Sequence, residues 1–156
     1  MRNIYFANGL FNEADRDFNA KVVAAIREKF KDEVNVYLPQ ENEAINDKSN
    51  FANSVMIAAE DNHKLDSADV LIAVLDGEII DPGVACEIGY ASASGIRIIG
   101  LTTDSRKYYE GENRLKKESV IDTLENQYHY KNLYVIGNVR LGGEIVTSID
   151  ELLNEL

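Results

Sequence analysis

The sequence predicts an α/β protein built on a doubly wound, five-stranded parallel sheet in the flavodoxin-like order 2-1-3-4-5. Three observations predict it. Short apolar runs alternate with segments of helical length along the whole chain. The most hydrophobic run, ADVLIAVLDG at 68–77, lacks period-two alternation, which marks a strand covered on both faces. The resulting order, β-α-β-α-β-α-β-excursion-β-α, is that of an open parallel sheet with helices on both sides.

Each element has its own signal. NIYFA, residues 3–7, reads as the first strand and closes on the turn-forming Asn8-Gly9. From Asn12 to Phe30, Phe18, Val22, Val23, Ile26 and Phe30 recur at helical spacing. VNVYL at 34–38 is a second strand ended by Pro39, and a polar loop follows from Gln40 to Ser49. The spacing predicts a helix over 50–65, with Phe51, Val55, Ala58 and Ala59 on one face. Asp81-Pro82 opens the next helix, which runs to Ser94 and stops at Gly95. IRIIGL at 96–101 is the fourth strand. Residues 102–131 form a polar excursion with one helix over 119–127, and NLYVIG at 132–137 is the fifth strand. Ser148 and Glu151 make a capping box before IDELLNEL. With no internal repeat and no linker, residues 1–156 are expected to be one domain.

Composition narrows the function classes. The chain has 156 residues, 45% of them hydrophobic, enough for a proper core. Acidic residues outnumber basic ones by 27 to 16, for a formal charge of -11. That field repels nucleic acid polymers and anionic membranes, and leaves neutral or weakly charged small molecules as ligands. No apolar run approaches the roughly 20 residues of a membrane-spanning helix. The first residues lack the long apolar stretch and cleavage site of a secretion signal. One cysteine, Cys86, suits a reducing compartment, so a cytoplasmic location is expected.

Ligands of such sheets bind beyond the carboxyl ends of the strands. Asn8, Gln40, Asp76 to Asp81, Thr102 and Gly137 are expected along that edge, which makes Asn8 and Gln40 candidates for substrate contact. The first chemical candidate is the pair Asp81 and Glu87. An Asp before a Pro is an ordinary N-cap, but Glu87 lies among Val84, Ala85, Cys86, Ile88 and Ala91, where a carboxylate is costly without a task. Asp61 sits late in its helix, where the dipole disfavours an acid. Asp76 occupies the place of a phospho-acceptor in receiver domains, yet the first strand ends in Ala7-Asn8-Gly9 with no acidic cluster for a metal. No Gly-rich phosphate loop occurs. His63 and His129 have no partner at ligand spacing, so no metal and no cofactor are expected. Cys86, in an apolar helix, reads as core rather than nucleophile.

Five segments taken in order, IYFANGLF, YLPQENE, SADVLIAVLDG, DPGVACEIGYASASG and KNLYVIG, resemble the nucleoside 2-deoxyribosyltransferase family. The Asp-x5-Glu-[IVL]-Gly segment is the most specific of them. The resemblance implies transfer of 2-deoxyribose between purine or pyrimidine bases, with 2'-deoxynucleosides and free nucleobases as partners. It implies Glu87 as nucleophile, Asp61 as general acid near the base, Asp81 as sugar contact and Tyr5 as the residue that positions the nucleophile. It further implies that Asn132 reaches the sugar's 5'-hydroxyl from a neighbouring subunit of a homo-oligomer. Gln40 or Glu43 falls where the family contacts the base. The excursion at 102–131 matches the family poorly.

Two other readings stand beside this one. A deoxynucleoside 5'-monophosphate N-glycosidase on the same fold uses water as acceptor and must hold a phosphate. The loop ANGLFNEAD has no basic residue before Arg16, and Asp81 repels an anion. A non-catalytic nucleoside-binding or signalling module is the third.

Overall fold

The computed structural model describes residues 1–42, 53–104 and 131–156. The loop residue Glu43 and the helix expected at 119–127 lie outside the described residues. Strand β1 (Arg2–Ala7) is followed by α1 (Glu13–Phe30) and β2 (Val34–Tyr37). Then come α2 (Ser54–Asp66), β3 (Val70–Val74), α3 (Pro82–Ser94) and β4 (Arg97–Leu101). The described chain closes with α4 (Leu133–Gly142), β5 (Gly143–Val146) and α5 (Ile149–Glu155).

The five strands are all parallel and lie in the order β2-β1-β3-β4-β5. Alternation along each strand divides the core into two layers. Ile4, Phe6, Val70, Ile72, Ile99 and Leu101 face Val22, Val23 and Ile26 of α1 and Leu152 of α5. Tyr5, Ala7, Leu71, Ala73 and Ile98 face Leu65 of α2, Val84, Ile88 and Ala91 of α3, and Ile136 and Val139 of α4. All five residues of β3 are buried, as its unbroken apolar run requires.

Local chemistry sets the helix ends. Asn12 caps α1 by accepting from the Asp15 amide, and Asn53 caps α2 by accepting from Met56. Gly95 adopts the left-handed conformation (φ 72°) after α3. Its amide bonds Ser92 O while the Ile96 amide bonds Ala91 O, a Schellman closure. Ser148 Oγ accepts from the Glu151 amide, whereas the Glu151 carboxylate reaches back one residue further than a standard capping box, to Thr147.

Two expectations need correction. The segment at 132–137 is not the fifth strand; it is the first half of α4, and the strand is Gly143–Val146. Asn132 explains the difference, because its Oδ1 accepts from the Tyr134 and Val135 amides and so starts a helix. Gly137 is therefore helical and not at the carboxyl edge. Residues 133–139 carry buried side chains only at Ile136 and Val139, a helical rather than an alternating pattern. The second correction concerns α2. Phe51 of its expected apolar face lies outside the described residues, and the rest is outward: Val55 is 74% exposed, and Ala58 and Ala59 are exposed too. Leu65, one turn from β3, is its fully buried anchor. Because α2 descends into the amino end of β3, its first turns stand above the carboxyl edge, beyond the sheet's cover.

The strand reassignment is testable. A Cβ at Gly143 would lie 1.9 Å from the Ile98 carbonyl oxygen, its register partner's, so Gly143→Ala is expected to cost about 2–3 kcal/mol. A Cβ at Gly137 meets nothing within 4 Å, so Gly137→Ala in a helix should stabilise by about 0.5–1 kcal/mol. Urea unfolding of both variants checks this; an unaffected Gly143→Ala or a destabilised Gly137→Ala would contradict the assignment.

Candidate active site

At the carboxyl edge, between the β1–α1 loop, the end of β2 and the starts of α2 and α3, lies a cavity of about 300 Å³. That is within the range of small-molecule sites. Its chemical centre is Tyr5. Lying within β1, Tyr5 pairs in register with Tyr37 on one side and Leu71 on the other, and only 1% of it is exposed. Ala7 and Ala73, also paired, place two small side chains on the same face nearer the edge. The Tyr5 hydroxyl donates to Glu87 Oε1 at 2.6 Å and stands 3.4 Å from Asp61 Oδ1. A phenol has one hydrogen, so the short contact to Glu87 holds it.

Glu87 enters from the second turn of α3, one helical turn beyond the buried Val84. Asp81 starts that helix. Its Oδ1 accepts from both the Gly83 and Val84 amides, at 2.8 and 3.2 Å, while its side chain lines the cavity. Asp81 thus both caps α3 and lines the cavity. Asp61 also lines the cavity, from the middle of α2.

Burial governs the electrostatics. It is the largest influence on Glu87, whose pKa is pushed up to about 7; the Tyr5 hydrogen bond opposes the rise, and Asp61 and Asp81 add to it. Burial also raises Asp61, with Tyr5 opposing and Glu60 assisting. Tyr5 itself is driven far above its ordinary value, by burial first and then by Glu87, and remains a neutral donor. Two carboxyl groups that resist ionisation, joined by one phenol, are suited to share acid and nucleophile roles.

The remaining expected site residues divide. Asn8 lines the cavity and donates to Asn19 Oδ1 at 2.7 Å. Gln40 does not line it: its Oε1 accepts from Asn19 Nδ2 and its Nε2 donates to Arg16 O, so both ends are tied to α1, behind the β1–α1 loop. The buried Asn19 also donates to Gly9 O and so braces that loop. Asn132 is exposed at the start of α4 and does not line this chain's cavity. Asp76 is saturated by Thr102 and Thr103, which gives it a structural task. Cys86 is exposed, contrary to the core reading, because α3 turns it away from the sheet. Among the described residues no group of three or more His, Cys, Asp or Glu is placed to hold a metal ion.

Several cavity residues were not singled out from the sequence. Leu10, Phe11, Tyr37, Pro39, Ile57 and Gly83 complete its wall. The signal for Tyr37 was available in the parallel register, which sets it directly beside Tyr5; the ring centroids are 5.2 Å apart at an interplanar angle of 49°. Gly9 carries the loop past two acids: a Cβ there would meet Asp15 Oδ2 at 2.9 Å and Asp81 Oδ2 at 3.8 Å.

A family model described as nucleoside 2-deoxyribosyltransferase matches residues 4–145. The chain belongs to that family. A conserved protein from Enterococcus faecalis V583 is 47% identical over 99% of this chain and 96% of its own, with a TM-score of 0.84. A 2-desoxiribosyltransferase from Leishmania mexicana, 22% identical over 99% of this chain and 96% of its own, shares the fold at a TM-score of 0.66. So does a CMP N-glycosidase from Clostridium botulinum, 17% identical over the same shares, at 0.51. An uncharacterized protein of Schizosaccharomyces pombe is 35% identical over 79 residues, which cover 48% of this chain and 37% of the yeast protein. Membership of the nucleoside 2-deoxyribosyltransferase family makes this a glycosyl-transferring or glycosyl-cleaving enzyme fold. Among the described residues no helix is long and apolar enough to cross a membrane.

The raised Glu87 pKa has a stability consequence. Between the unfolded value near 4.5 and the folded value near 7, the unfolded chain releases its proton first, so stability falls as pH rises through this window. Glu87→Gln removes the penalty. The variant is expected to be more stable than the parent by about 1–2 kcal/mol at pH 8, after discounting for residual solvent contact, and equal to it near pH 4. Thermal unfolding across pH checks this; a variant less stable at pH 8 would contradict the burial.

Proposed function

We propose that the enzyme transfers 2-deoxyribose between purine or pyrimidine bases by double displacement through a covalent deoxyribosyl-Glu87 intermediate. The observation that carries this reading is the Tyr5 hydroxyl, 2.6 Å from the Glu87 carboxylate and 3.4 Å from Asp61. In the first displacement an oxygen of ionised Glu87 bonds the anomeric carbon from beneath. The electron pair of the N-glycosidic bond leaves with the base, which takes a proton from Asp61. In the second, a nitrogen of the incoming base bonds the anomeric carbon, its proton passes to Asp61, and the ester oxygen leaves as carboxylate. Two inversions restore the anomer. Tyr5 holds the carboxylate ionised against the burial that raises it. Asp81, whose Oδ1 already caps α3, offers the other oxygen to the sugar.

The substrates in this reading are 2'-deoxynucleosides and free nucleobases, as in nucleotide metabolism and purine salvage in the cytoplasm. A second reading, N-glycosidic hydrolysis of a 5'-monophosphate, has a shared fold in its favour, since the Clostridium botulinum protein of similar fold is a CMP N-glycosidase. Against it, no Lys or Arg is among the described residues lining the cavity, and Asp61, Asp81 and Glu87 are there. Arg16 lines a separate depression with Gln40. A homo-oligomer is part of the proposal, residues 1–156 forming one domain of each subunit. Asn132 on α4 then serves a neighbour's sugar, beside an exposed Tyr134 and Leu133 that suit a subunit contact.

The test is direct. In phosphate-free buffer, deoxyinosine and adenine should yield deoxyadenosine by chromatography, with kcat/KM falling about tenfold per pH unit below about 7 as Glu87 takes a proton. Glu87→Gln should lower transfer about 10³-fold or more while the fold persists. Free deoxyribose without new nucleoside would favour the hydrolase; no conversion at all would favour a binding module.

A further inference from the structure

Tyr37 lines the cavity, and its position follows from the register. As the last residue of β2 it pairs with Tyr5, and its ring packs on the Tyr5 ring on the face that bears the cavity. The Lys64 ammonium stands 5.3 Å from its centroid, a cation–π contact that holds the ring from α2. The phenolic oxygen accepts from Asn42 Nδ2 at 3.0 Å. That bond orients the oxygen and uses one acceptor position; the O–H hydrogen finds no acceptor among the described residues. The hydroxyl of this half-buried residue is therefore available to donate into the cavity, to water or to a ligand that displaces it.

Strand order says which part of a ligand comes near it. Tyr37 lies on β2 and Asp81 follows β3, so the two flank Tyr5 from opposite sides of β1. With the anomeric carbon over Glu87 and the sugar against Asp81, the base extends toward Asp61 and β2. We propose that the Tyr37 hydroxyl is a base-recognition donor, hydrogen-bonding a ring nitrogen or carbonyl oxygen on the edge of the bound nucleobase. This deepens the reading of the cavity as a deoxynucleoside site and rests on it. Burial, the largest influence, raises the Tyr37 pKa; the Asn42 hydrogen bond opposes the rise and Asp61, Glu60 and Glu87 add to it, so the phenol keeps its proton at neutral pH. A donor there accepts both base classes, because purine ring nitrogens and pyrimidine carbonyls both present lone pairs. It rejects analogues in which a C–H replaces the contacted acceptor.

Calorimetric binding to the inactive Glu87→Gln protein, with and without Tyr37→Phe, tests the inference without turnover. The Phe ring preserves the contact with Tyr5. Deoxyadenosine is expected to bind about five- to tenfold more weakly when the hydroxyl is gone. Among 1-deaza-, 3-deaza- and 7-deaza-2'-deoxyadenosine, one should bind equally to both proteins, because it lacks the acceptor that Tyr37 contacts. Equal binding of deoxyadenosine to both proteins would overturn the inference, as would one unchanged penalty across all analogues. If Glu87→Gln bound no deoxynucleoside, the functional reading would fall and this inference with it. Normal base exchange in the parent protein beside an unaffected Tyr37→Phe would sink the Tyr37 contact alone.

Discussion

The hydrogen bond from the Tyr5 hydroxyl to Glu87 is the contact on which the rest of the site depends. A carboxylate in the second turn of an otherwise apolar helix loses hydration, and its pKa rises to about 7. One short charge-assisted bond is what keeps its ionised form accessible near neutral pH. That bond requires a tyrosine in a central strand, one register step from two flanking strands, and a helix whose first turn is pinned. The parallel sheet provides the first and Asp81-Pro82 the second. Displacing either would separate donor and acceptor.

The same economy runs through the neighbouring residues. Asp81 uses one oxygen to cap the start of α3, and its side chain also lines the cavity. Asn19, buried at the base of α1, ties Asn8, Gly9 and Gln40 together, so the loop that passes the acids is held from behind. Lys131, also buried, donates to the carbonyls of Leu75 and Gly77 and fastens the loop leading from β3 toward Asp81. Stability is spent on positioning acids rather than on neutralising them, consistent with a chain of formal charge -11.

Much of this was legible in the residues. An unbroken apolar run identified β3, Asp81-Pro82 and Gly95 bounded α3 to the residue, and an acid among Val84, Ile88 and Ala91 singled out Glu87. Other features were not legible, for physical reasons. NLYVIG is apolar enough for a buried strand, and only the Asn132 cap and the Ile136–Val139 spacing favour a helix. The outward apolar face of α2 misled because periodicity reports which residues share a face, not what covers it. Tyr37 looked like one more residue of a short strand until its register partner was known. Gln40 and Asn8 stand side by side at the carboxyl edge, yet hydrogen bonding commits Gln40 to the scaffold and leaves Asn8 in the wall.

In the proposed reaction everything turns on a bond between a Glu87 oxygen and the sugar. Incubation with a 2-fluoro-substituted deoxyribosyl nucleoside, whose fluorine slows breakdown of the glycosyl ester, followed by proteolysis and mass spectrometry, tests it most directly. A fluorosugar mass is expected on the peptide that contains Glu87 and on no other. The same adduct on Asp61, on Asp81 or on no residue while base is released would contradict it.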